Sequence, residues 1–354
     1  MKYRGVVYDV GLNFTGTGFS VEPFNPALVE YDMCTIANDL HANAVRIEGE
    51  EIHRLELASR SAHSMGLKVF FNPWKMNAGI DETRAYYEEA AQTAERLRSE
   101  GIDLVFVAGC EFSIFSQGIF PGDSFNERAM FLGSQFPTGH RLEDISQELR
   151  DKSVELNRVL LSFVEGIRAK FGGPITYSSG SWEVVDWEMF EMVGIDYYRR
   201  GETAEKYVSG LQRYKVGKPL AVLEVGCCAY EGAAERGDGG FIVLKGTNPD
   251  GTGIFENGIV PTRSEKEQAA YVGTQLGLLA SAEVEAAFIY LFSFPCMPTG
   301  EGARDLDLAC YSLVKTFPEQ DPRSKSMPPW APKLSFHRVA EIFASMRQRE
   351  KDAP

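Results

Sequence analysis

Four carboxyl side chains stand at or directly after short apolar runs of this sequence. Each run has the length of a buried strand, and a charged group at its end is costly to bury without a partner. Such a position is seldom filled for packing alone, so we interpret these residues as candidates for chemistry. They are Glu48, Glu111, Asp196 and Glu224.

Glu111 and Glu224 form the sharpest pair among these candidates. If the runs before them are strands four and seven of a closed parallel barrel, their carboxyl groups face each other across its mouth. One of two converging carboxyl groups can stay protonated as an acid while the other stays ionised as a nucleophile or base. The pair therefore indicates acid–base and covalent chemistry on a small-molecule substrate.

The elements that must position these residues follow from the pattern of apolar residues. Short apolar runs alternate with stretches of helical periodicity, which is typical of βα units around a parallel sheet. We predict strands over residues 5–10, 44–47, 67–72, 104–108, 175–178, 194–198, 220–223 and 286–292. We predict helices over 27–41, 52–65, 81–100, 143–171, 184–192, 204–216, 265–280 and 335–346.

Eight strands and eight helices predict an α/β fold, a (β/α)8 TIM barrel that forms a single domain over residues 1–354. A doubly wound sheet is the second choice, because no GxGxxG motif follows the first strand. Long βα loops after strands four, seven and eight cover residues 112–142, 226–263 and 293–334. These loops open on the face where barrel enzymes build their active sites, although oligomer contacts are the alternative use.

Composition and charge exclude several classes of protein. The 36 Lys and Arg residues against 50 Asp and Glu give a net charge of −14, and no basic stripe is present, so nucleic acid is not an expected partner. Neither a signal-peptide stretch nor an 18-residue apolar window occurs, so we expect a cytoplasmic protein with no membrane partner. The six cysteines lack CxxC spacing, which favours free thiols over a zinc site. We expect no cofactor and no metal.

Four of the strand segments together resemble the clan A retaining glycoside hydrolases. They are residues 43–47, 109–111, 194–198 and 219–226, and the resemblance spans residues 1 to about 295. It implies an eightfold barrel in which Glu111 is the acid/base, Glu224 is the nucleophile and Arg46 orients the nucleophile carboxylate. Most of the clan has Asn before the acid/base, where this chain has Cys110, and a Trp at the end of strand eight, where this chain has the run containing Tyr290 and Phe292.

Substrate-binding positions are predicted around the same mouth. Trp74 and Trp182 follow strands three and five, at the end of the barrel where an aromatic ring can wall a ligand. Tyr197 and Tyr198 alternate across the sheet, so one of them faces the barrel. The predicted substrate-binding set is Arg46, Glu48, Trp74, Cys110, Trp182, Asp196, Tyr198, Tyr290 and Phe292.

The insertion after strand four carries six phenylalanines and no tryptophan: Phe112, Phe115, Phe120, Phe125, Phe131 and Phe136. Polysaccharide clefts usually offer Trp and Tyr, so a rim rich in Phe favours a substrate with a hydrophobic moiety. A small local core beneath the loop is the alternative.

Other functions stay open at this point. The carboxyl groups could perform acid–base cyclisation or elimination on an apolar natural product, or hold Mg²⁺ or Mn²⁺ for an isomerase or lyase. The barrel could also bind a ligand without catalysis, and Glu111 or Glu224 could belong to a buried ion pair with Arg46 or Arg199. Our leading hypothesis is an enzyme that cleaves or transfers a glycosyl group.

Overall fold

The computed structural model describes residues 1–14, 16, 18–136 and 145–352. In this part of the chain, eight parallel strands form one sheet. The strands are β1 (Tyr3–Asp9), β2 (Ala44–Gly49), β3 (Lys68–Pro73), β4 (Leu104–Cys110), β5 (Ile175–Ser178), β6 (Val193–Asp196), β7 (Leu220–Val225) and β10 (Ala286–Ile289). Their order in the sheet is β5-β4-β3-β2-β1-β10-β7-β6. A parallel bridge between Ser179 and Ile195 joins the two edges, so the sheet is a nearly closed barrel. The predicted (β/α)8 fold is confirmed.

Helices follow most of the strands and cover the outside of the barrel. They are α1 (Pro26–Asn38), α2 (Ile52–Ser64), α3 (Ile80–Ser99), α4 (Phe112–Phe115), α5 (Phe125–Ser134), α6 (Gln147–Arg168), α7 (Ala204–Gly210), α8 (Glu265–Ser281) and α9 (Leu334–Asp352). Asn25 caps α1 by accepting a hydrogen bond from the backbone N–H of Ala27. The predicted start of the fourth long helix, at Glu143, lies outside the described residues.

The helix predicted over residues 184–192 is wrong. Only Trp187–Met189 form one turn of 3₁₀ helix there. The Lys218 ammonium donates to the carbonyls of residues 187, 188 and 190, while Ser153 and Asn157 of α6 accept from the backbone N–H groups of residues 184 and 186. Because distant side chains satisfy these backbone groups, the segment does not need helical hydrogen bonds.

Aromatic rings fill the barrel interior below the mouth. The rings of Phe70 and Phe288 pack with their centroids 4.7 Å apart. Glycine at position 5 makes this packing possible, since a Cβ there would lie 2.5 Å from the Phe288 ring. The interior is therefore a solid core beneath the strand ends.

Both long loops after β7 and β10 contain a short antiparallel hairpin: β8 (Leu244–Thr247) with β9 (Gly253–Phe255), and β11 (Val314–Thr316) with β12 (Trp330–Pro332). A network of charges ties the two loops together. Arg263 pairs with Asp305 and Asp307 at 2.9 and 2.8 Å, and the buried Lys333 pairs with Asp307 at 2.8 Å. The predicted loops are thus ordered additions to one end of the barrel. None of the described helices has both the length and the apolar character needed to cross a membrane.

A buried acid on α1 makes the stability of the fold depend on pH. Asp32 accepts hydrogen bonds from the Tyr8 hydroxyl and the Trp330 indole, both at 2.9 Å. Burial raises the pKa of Asp32 from 3.8 to about 7, although these two hydrogen bonds oppose the shift. The protonated form therefore stabilises the folded state below the ordinary Asp range, and that stabilisation is lost as the pH rises through 7.

We expect Asp32→Asn to flatten the pH dependence of the unfolding free energy between pH 4 and 8, by at most about 4 kcal/mol, because asparagine does not ionise. Urea unfolding at several pH values measures this effect. Asp39→Asn, at an exposed position just after the same helix, serves as the control and should follow the wild-type curve. An equal difference between Asp32→Asn and wild type at pH 5 and pH 8 would contradict the assignment.

Candidate active site

All four predicted carboxyl groups lie at the carboxyl ends of barrel strands. Glu48, Asp196 and Glu224 belong to β2, β6 and β7, and Glu111 directly follows β4. The first three are buried, with 0%, 4% and 7% of their surfaces exposed, whereas Glu111 is half-buried. The parallel arrangement therefore brings to one mouth residues that are far apart in the sequence.

Irregular backbone at the end of β4 aims Cys110 and Glu111. Gly109 has φ +87°, and a Cβ on it would lie 2.2 Å from the Tyr87 hydroxyl. The pairing of β4 with β5 shifts register between Val107 and Cys110, as in a β-bulge. Glu111 itself has left-handed backbone angles, φ 43° and ψ 48°. Position 109, directly before Cys110 and Glu111, therefore requires glycine.

The guanidinium of Arg46 lies at the centre of the site, and its residue is completely buried. It donates to the Glu224 carboxylate at 2.9 Å, to the Leu223 carbonyl at 3.1 Å and to the Asn72 side chain at 2.9 Å. The Glu48 carboxyl lies 3.2 Å from another guanidinium nitrogen, and Asp196 lies 3.9 Å away. One cation therefore faces three acids.

Protonation resolves this imbalance of charge. Burial raises the pKa of Glu48 and that of Asp196 well above their ordinary values, and neighbouring carboxylates add to both shifts. No described residue donates a hydrogen bond to either oxygen of Glu48, which is consistent with a neutral carboxyl group. Glu224, by contrast, accepts from Arg46 and, at 3.1 Å, from the Tyr198 hydroxyl. Two donors aimed at one carboxyl group, one at each oxygen, fix its orientation.

The thiol of Cys110 lies between two of the acids. Its Sγ is 3.4 Å from Asp196 and 3.5 Å from Glu224, within reach of a weak S–H donor. Burial raises the pKa of the thiol well above its ordinary value, so the sulfur keeps its proton. Ser178 donates a further hydrogen bond to Asp196 at 2.6 Å. Cys110 is thus a neutral neighbour of the Glu224 carboxylate.

Glu111 has different surroundings from those of Glu224. Among the described residues, none donates a hydrogen bond to its carboxyl group. Burial raises the pKa of Glu111 well above the ordinary value, and the Glu224 carboxylate pushes it in the same direction. A carboxyl group whose pKa is raised, and which accepts no hydrogen bond from the described residues, is suited to donate a proton to a ligand.

Some of the predicted aromatic residues lie at the mouth of the barrel, and others lie away from it. Trp74 packs beside Leu12 and Cys110. Burial raises the pKa of the half-buried Tyr290 well above its ordinary value, and the Glu224 carboxylate adds to this shift. Trp182 instead donates its indole N–H to Ser113 at 3.0 Å.

The Phe292 ring is completely buried, 6.0 Å from the ring of Tyr8 and 5.4 Å from that of Trp330. Arg46 and the three acids around it, Glu48, Asp196 and Glu224, form the Arg46 cluster. The structure does not bring Trp182 or Phe292 into this cluster, and their contact with substrate stays a prediction. Tyr197 packs against Tyr207 while Tyr198 reaches Glu224, as alternation across the sheet predicts.

Three polar residues of this site were missed by the sequence analysis. Asn72 and Ser178 bond Arg46 and Asp196, and Asp9 pairs in register with Glu48 on the neighbouring strand. Burial raises the pKa of Asp9 to about 7, despite hydrogen bonds from Ser20 and Gly11 that oppose the shift. Each of the three lies at the end of its strand, which is the signal that singled out the four acids.

Donor atoms suitable for a metal ion also meet at this mouth. The Cys110 sulfur and one oxygen each of Asp196 and Glu224 lie within 4.8 Å of one another. The Arg46 guanidinium already contacts Glu224 and faces Asp196, so a dication there would meet a fixed positive charge. The donor set therefore fits a guanidinium better than a divalent cation.

Comparison with known proteins finds similarity in structure alone. No protein-family model matches the chain, and no curated protein sequence does. A GH113 β-1,4-mannanase solved as a complex is 13% identical, with a TM-score of 0.58 over 98% of this chain and 100% of the other. The GH113 β-mannanase AaManA from Alicyclobacillus acidocaldarius, in complex with ManMIm, is 14% identical with a TM-score of 0.57 and 98% coverage of both chains.

The β-glucanase SdGluc5_26A from Saccharophagus degradans, in complex with cellotetraose, is 11% identical with a TM-score of 0.50 over 98% of this chain and 88% of the other. At such low identity these likenesses establish the barrel fold, and any function must be argued from the site itself.

Glu48→Gln tests the charge balance around Arg46. Glutamine mimics a protonated carboxyl group, so we expect its unfolding free energy to lie within about 1 kcal/mol of wild type at pH 5. Because the raised pKa of Glu48 lets the protonated form stabilise the fold only until it ionises, the variant should become the more stable one as the pH rises.

Arg46→Met is the contrasting variant, since it leaves the acids without their cation. It should lower the unfolding free energy by about 3–5 kcal/mol near neutral pH. Chemical unfolding at pH 5 and pH 8 measures both variants. A Glu48→Gln protein that loses stability steadily toward high pH would show that Glu48 is needed as an anion.

Proposed function

We propose that this protein is a glycoside hydrolase-like enzyme that cleaves or transfers a glycosyl group by a retaining mechanism with two carboxyl groups. The observation that carries the proposal is the difference between the two carboxyl groups. Glu224 accepts hydrogen bonds from Arg46 and Tyr198, which fix its orientation, whereas no described residue donates to the Glu111 carboxyl group, whose pKa is raised by burial and by neighbouring carboxylates. The fold shared with two mannanases and a glucanase supports the same class.

In the first step, a Glu224 oxygen attacks the anomeric carbon of the substrate. The bond from that carbon to the leaving oxygen breaks as Glu111 gives its proton to this oxygen, and a glycosyl ester of Glu224 forms. In the second step, Glu111, now an anion, takes a proton from water or an acceptor hydroxyl. The resulting nucleophile attacks the same carbon, the ester bond breaks, and Glu224 leaves as a carboxylate.

Arg46 and Tyr198 serve this cycle by orienting the nucleophile. Both donate to the Glu224 carboxylate, Arg46 to Oε1 and Tyr198 to Oε2, so the carboxylate plane is fixed before substrate binds. These donors also stabilise the carboxylate when it leaves the ester.

The rim of the mouth supports a substrate with a hydrophobic moiety. Loops after four different strands contribute Phe14, Trp74, Phe115 and Phe294, whose ring centroids lie 4.9–6.4 Å apart in edge-to-face pairs. The three phenylalanines are half-buried, and the cluster includes Cys110, which adjoins Glu224. An apolar group of the substrate would therefore find aromatic surface next to the reacting carboxylates.

The six phenylalanines of the loop after β4 serve more than one purpose. Phe115 belongs to the mouth, whereas Phe120 is 4% exposed and packs against Phe131 at 4.9 Å. Phe112 packs against Phe163 of α6 at 5.3 Å. The loop thus combines the predicted apolar rim with the local core that was its alternative.

The aromatic rim also favours a second candidate function. The same acid and anion could drive a cyclisation or elimination on a wholly apolar substrate, with Glu111 as the proton donor. Such an enzyme would release no sugar, so product analysis separates it from a glycosidase.

Hydrolysis of aryl glycosides by wild type and two variants tests the main proposal. We expect 4-nitrophenyl β-mannoside or β-glucoside to be cleaved with retention, seen by NMR as the β-anomer forming first. Glu224→Gln should lower kcat roughly a thousandfold or more on every substrate, because the covalent step is lost.

Glu111→Gln should lower kcat about 100- to 10,000-fold on substrates with poor leaving groups and much less on the nitrophenyl glycosides, which need no protonation. Treatment with a chelator is the control for metal dependence and should change nothing. Equal losses in both variants on every substrate, or activity that requires added Mg²⁺, would overturn the retaining assignment.

Phe115→Ala and Phe120→Ala form a matched pair that tests the apolar rim. We expect Phe115→Ala to raise KM for a nitrophenyl glycoside roughly tenfold, or about 1.4 kcal/mol, with a smaller effect on an unsubstituted oligosaccharide. Phe120→Ala should leave KM unchanged and lower stability by about 3–5 kcal/mol, because it empties a buried site. Kinetics and thermal unfolding of both variants decide between rim and scaffold. Unchanged KM values for Phe115→Ala would show that this ring is scaffold.

A further inference from the structure

A second buried carboxyl group lies behind Glu111, on the loop after β5. Glu183 is 5% exposed and was not among the predicted site residues. Its carboxylate accepts hydrogen bonds from the Ser113 hydroxyl at 2.5 Å, the Ser113 backbone N–H at 3.2 Å and the Gly180 N–H at 3.2 Å. The Tyr177 hydroxyl donates to it at 2.9 Å. No step of the proposed reaction uses this group.

These hydrogen bonds converge on the residues that directly follow Glu111. The backbone N–H of Phe112 donates to the Tyr177 oxygen at 2.6 Å, and Tyr177 in turn donates to Glu183. The Trp182 indole donates to Ser113 at 3.0 Å, and Ser113 likewise donates to Glu183. The side chains of Tyr177 and Glu183 thus hold the backbone N–H groups of residues 112 and 113.

Glu111 needs this support because its backbone conformation is unfavourable. The left-handed angles φ 43° and ψ 48° are unfavourable for an L residue, and they persist only where the surroundings impose them. On its amino-terminal side, the Glu111 N–H donates to the Ser178 carbonyl at 2.8 Å. On its carboxyl-terminal side, the Glu183 network supplies the corresponding restraint.

We propose that Glu183 is a positioning residue that holds Glu111 at the angle required for proton transfer. The inference rests on the proposed role of Glu111 as acid/base. Glu183 does not touch the substrate in this scheme and acts only through the backbone of residues 112 and 113 and through its charge. The hydrogen bond from the Trp182 indole to Ser113 also explains why Trp182, a predicted substrate-binding residue, lies away from the Arg46 cluster.

The charge of Glu183 acts on Glu111 together with those of other residues. Burial is the largest cause of the raised pKa of Glu111, followed by the charges of Asp196, Glu224, Glu183 and Asp238. Arg200 faces Glu111 from the loop after β6 and is paired with Asp238. Burial raises the pKa of Glu183 as well, although the hydrogen bonds from Ser113, Tyr177 and Gly180 oppose this shift. At pH values where Glu183 is ionised, removal of its charge should therefore lower the pKa of Glu111.

Glu183→Gln is the decisive variant, because its amide keeps the size of the side chain but cannot accept hydrogen bonds from all four donors. We expect kcat/KM to fall about 10- to 100-fold on a glycoside with a poor leaving group and less than threefold on 4-nitrophenyl glycosides. The basic limb of the pH profile should move to lower pH. Glu188→Gln, an exposed position on the same loop, is the matched control and should behave like wild type.

Two further measurements keep the test decisive. If Glu183→Gln does not fold, Ser113→Ala, which removes one donor and the acceptor for Trp182, should show the same leaving-group pattern more weakly. NMR titration of ¹³C-labelled Glu carboxyl groups measures the pH midpoint of the Glu111 titration without any substrate. The Glu111 signal is assigned by its absence from the spectrum of Glu111→Gln. A midpoint that moves down in Glu183→Gln supports the inference.

An unchanged midpoint, or equal losses on both classes of glycoside, would overturn the positioning role and leave Glu183 as a structural residue. The absence of glycoside cleavage by wild type would instead refute the proposed function. Because the NMR midpoint does not depend on turnover, the two failures can be told apart.

Discussion

A single buried guanidinium holds the interior of this barrel and its candidate site together. Arg46 has no contact with solvent, and an unpaired charge at that depth would be prohibitively costly. Its hydrogen bonds to Asn72, Leu223 and Glu224 join β2 to β3 and β7 across the mouth. A buried anionic partner is therefore required, and Glu224 meets this requirement as an oriented carboxylate at the end of β7.

The imbalance between one cation and several acids gives the carboxyl groups different properties. Burial favours the neutral form of Glu48 and Asp196, so the charge of Arg46 is directed at Glu224. Glu111 lies outside the reach of the guanidinium's hydrogen bonds and is restrained instead by the network of Glu183 and Tyr177. Two separate polar networks thus give the two carboxyl groups different surroundings, as the proposed division into acid and nucleophile requires.

The aromatic rim of the mouth has the opposite character. Aromatic rings from the loops after β1, β3, β4 and β10 meet next to Cys110, and no described residue accepts a hydrogen bond from the indole N–H of Trp74. An apolar rim of this kind lowers the local dielectric around the carboxyl groups, which strengthens the interactions that hold them.

The sequence by itself determined the barrel, its three long loops and the four strand-end acids, because these depend on local periodicity and on the cost of a charge beside an apolar run. Only the tertiary structure decided that Glu183 and Tyr177 anchor the residues after Glu111. It also placed Trp182 and Phe292 away from the Arg46 cluster and left residues 187–189 as a single turn. These outcomes depend on hydrogen bonds and packing between side chains that are distant in the sequence, such as Lys218 with the carbonyls of residues 187–190. Local pattern carries no information about which of many possible distant partners a polar group will meet.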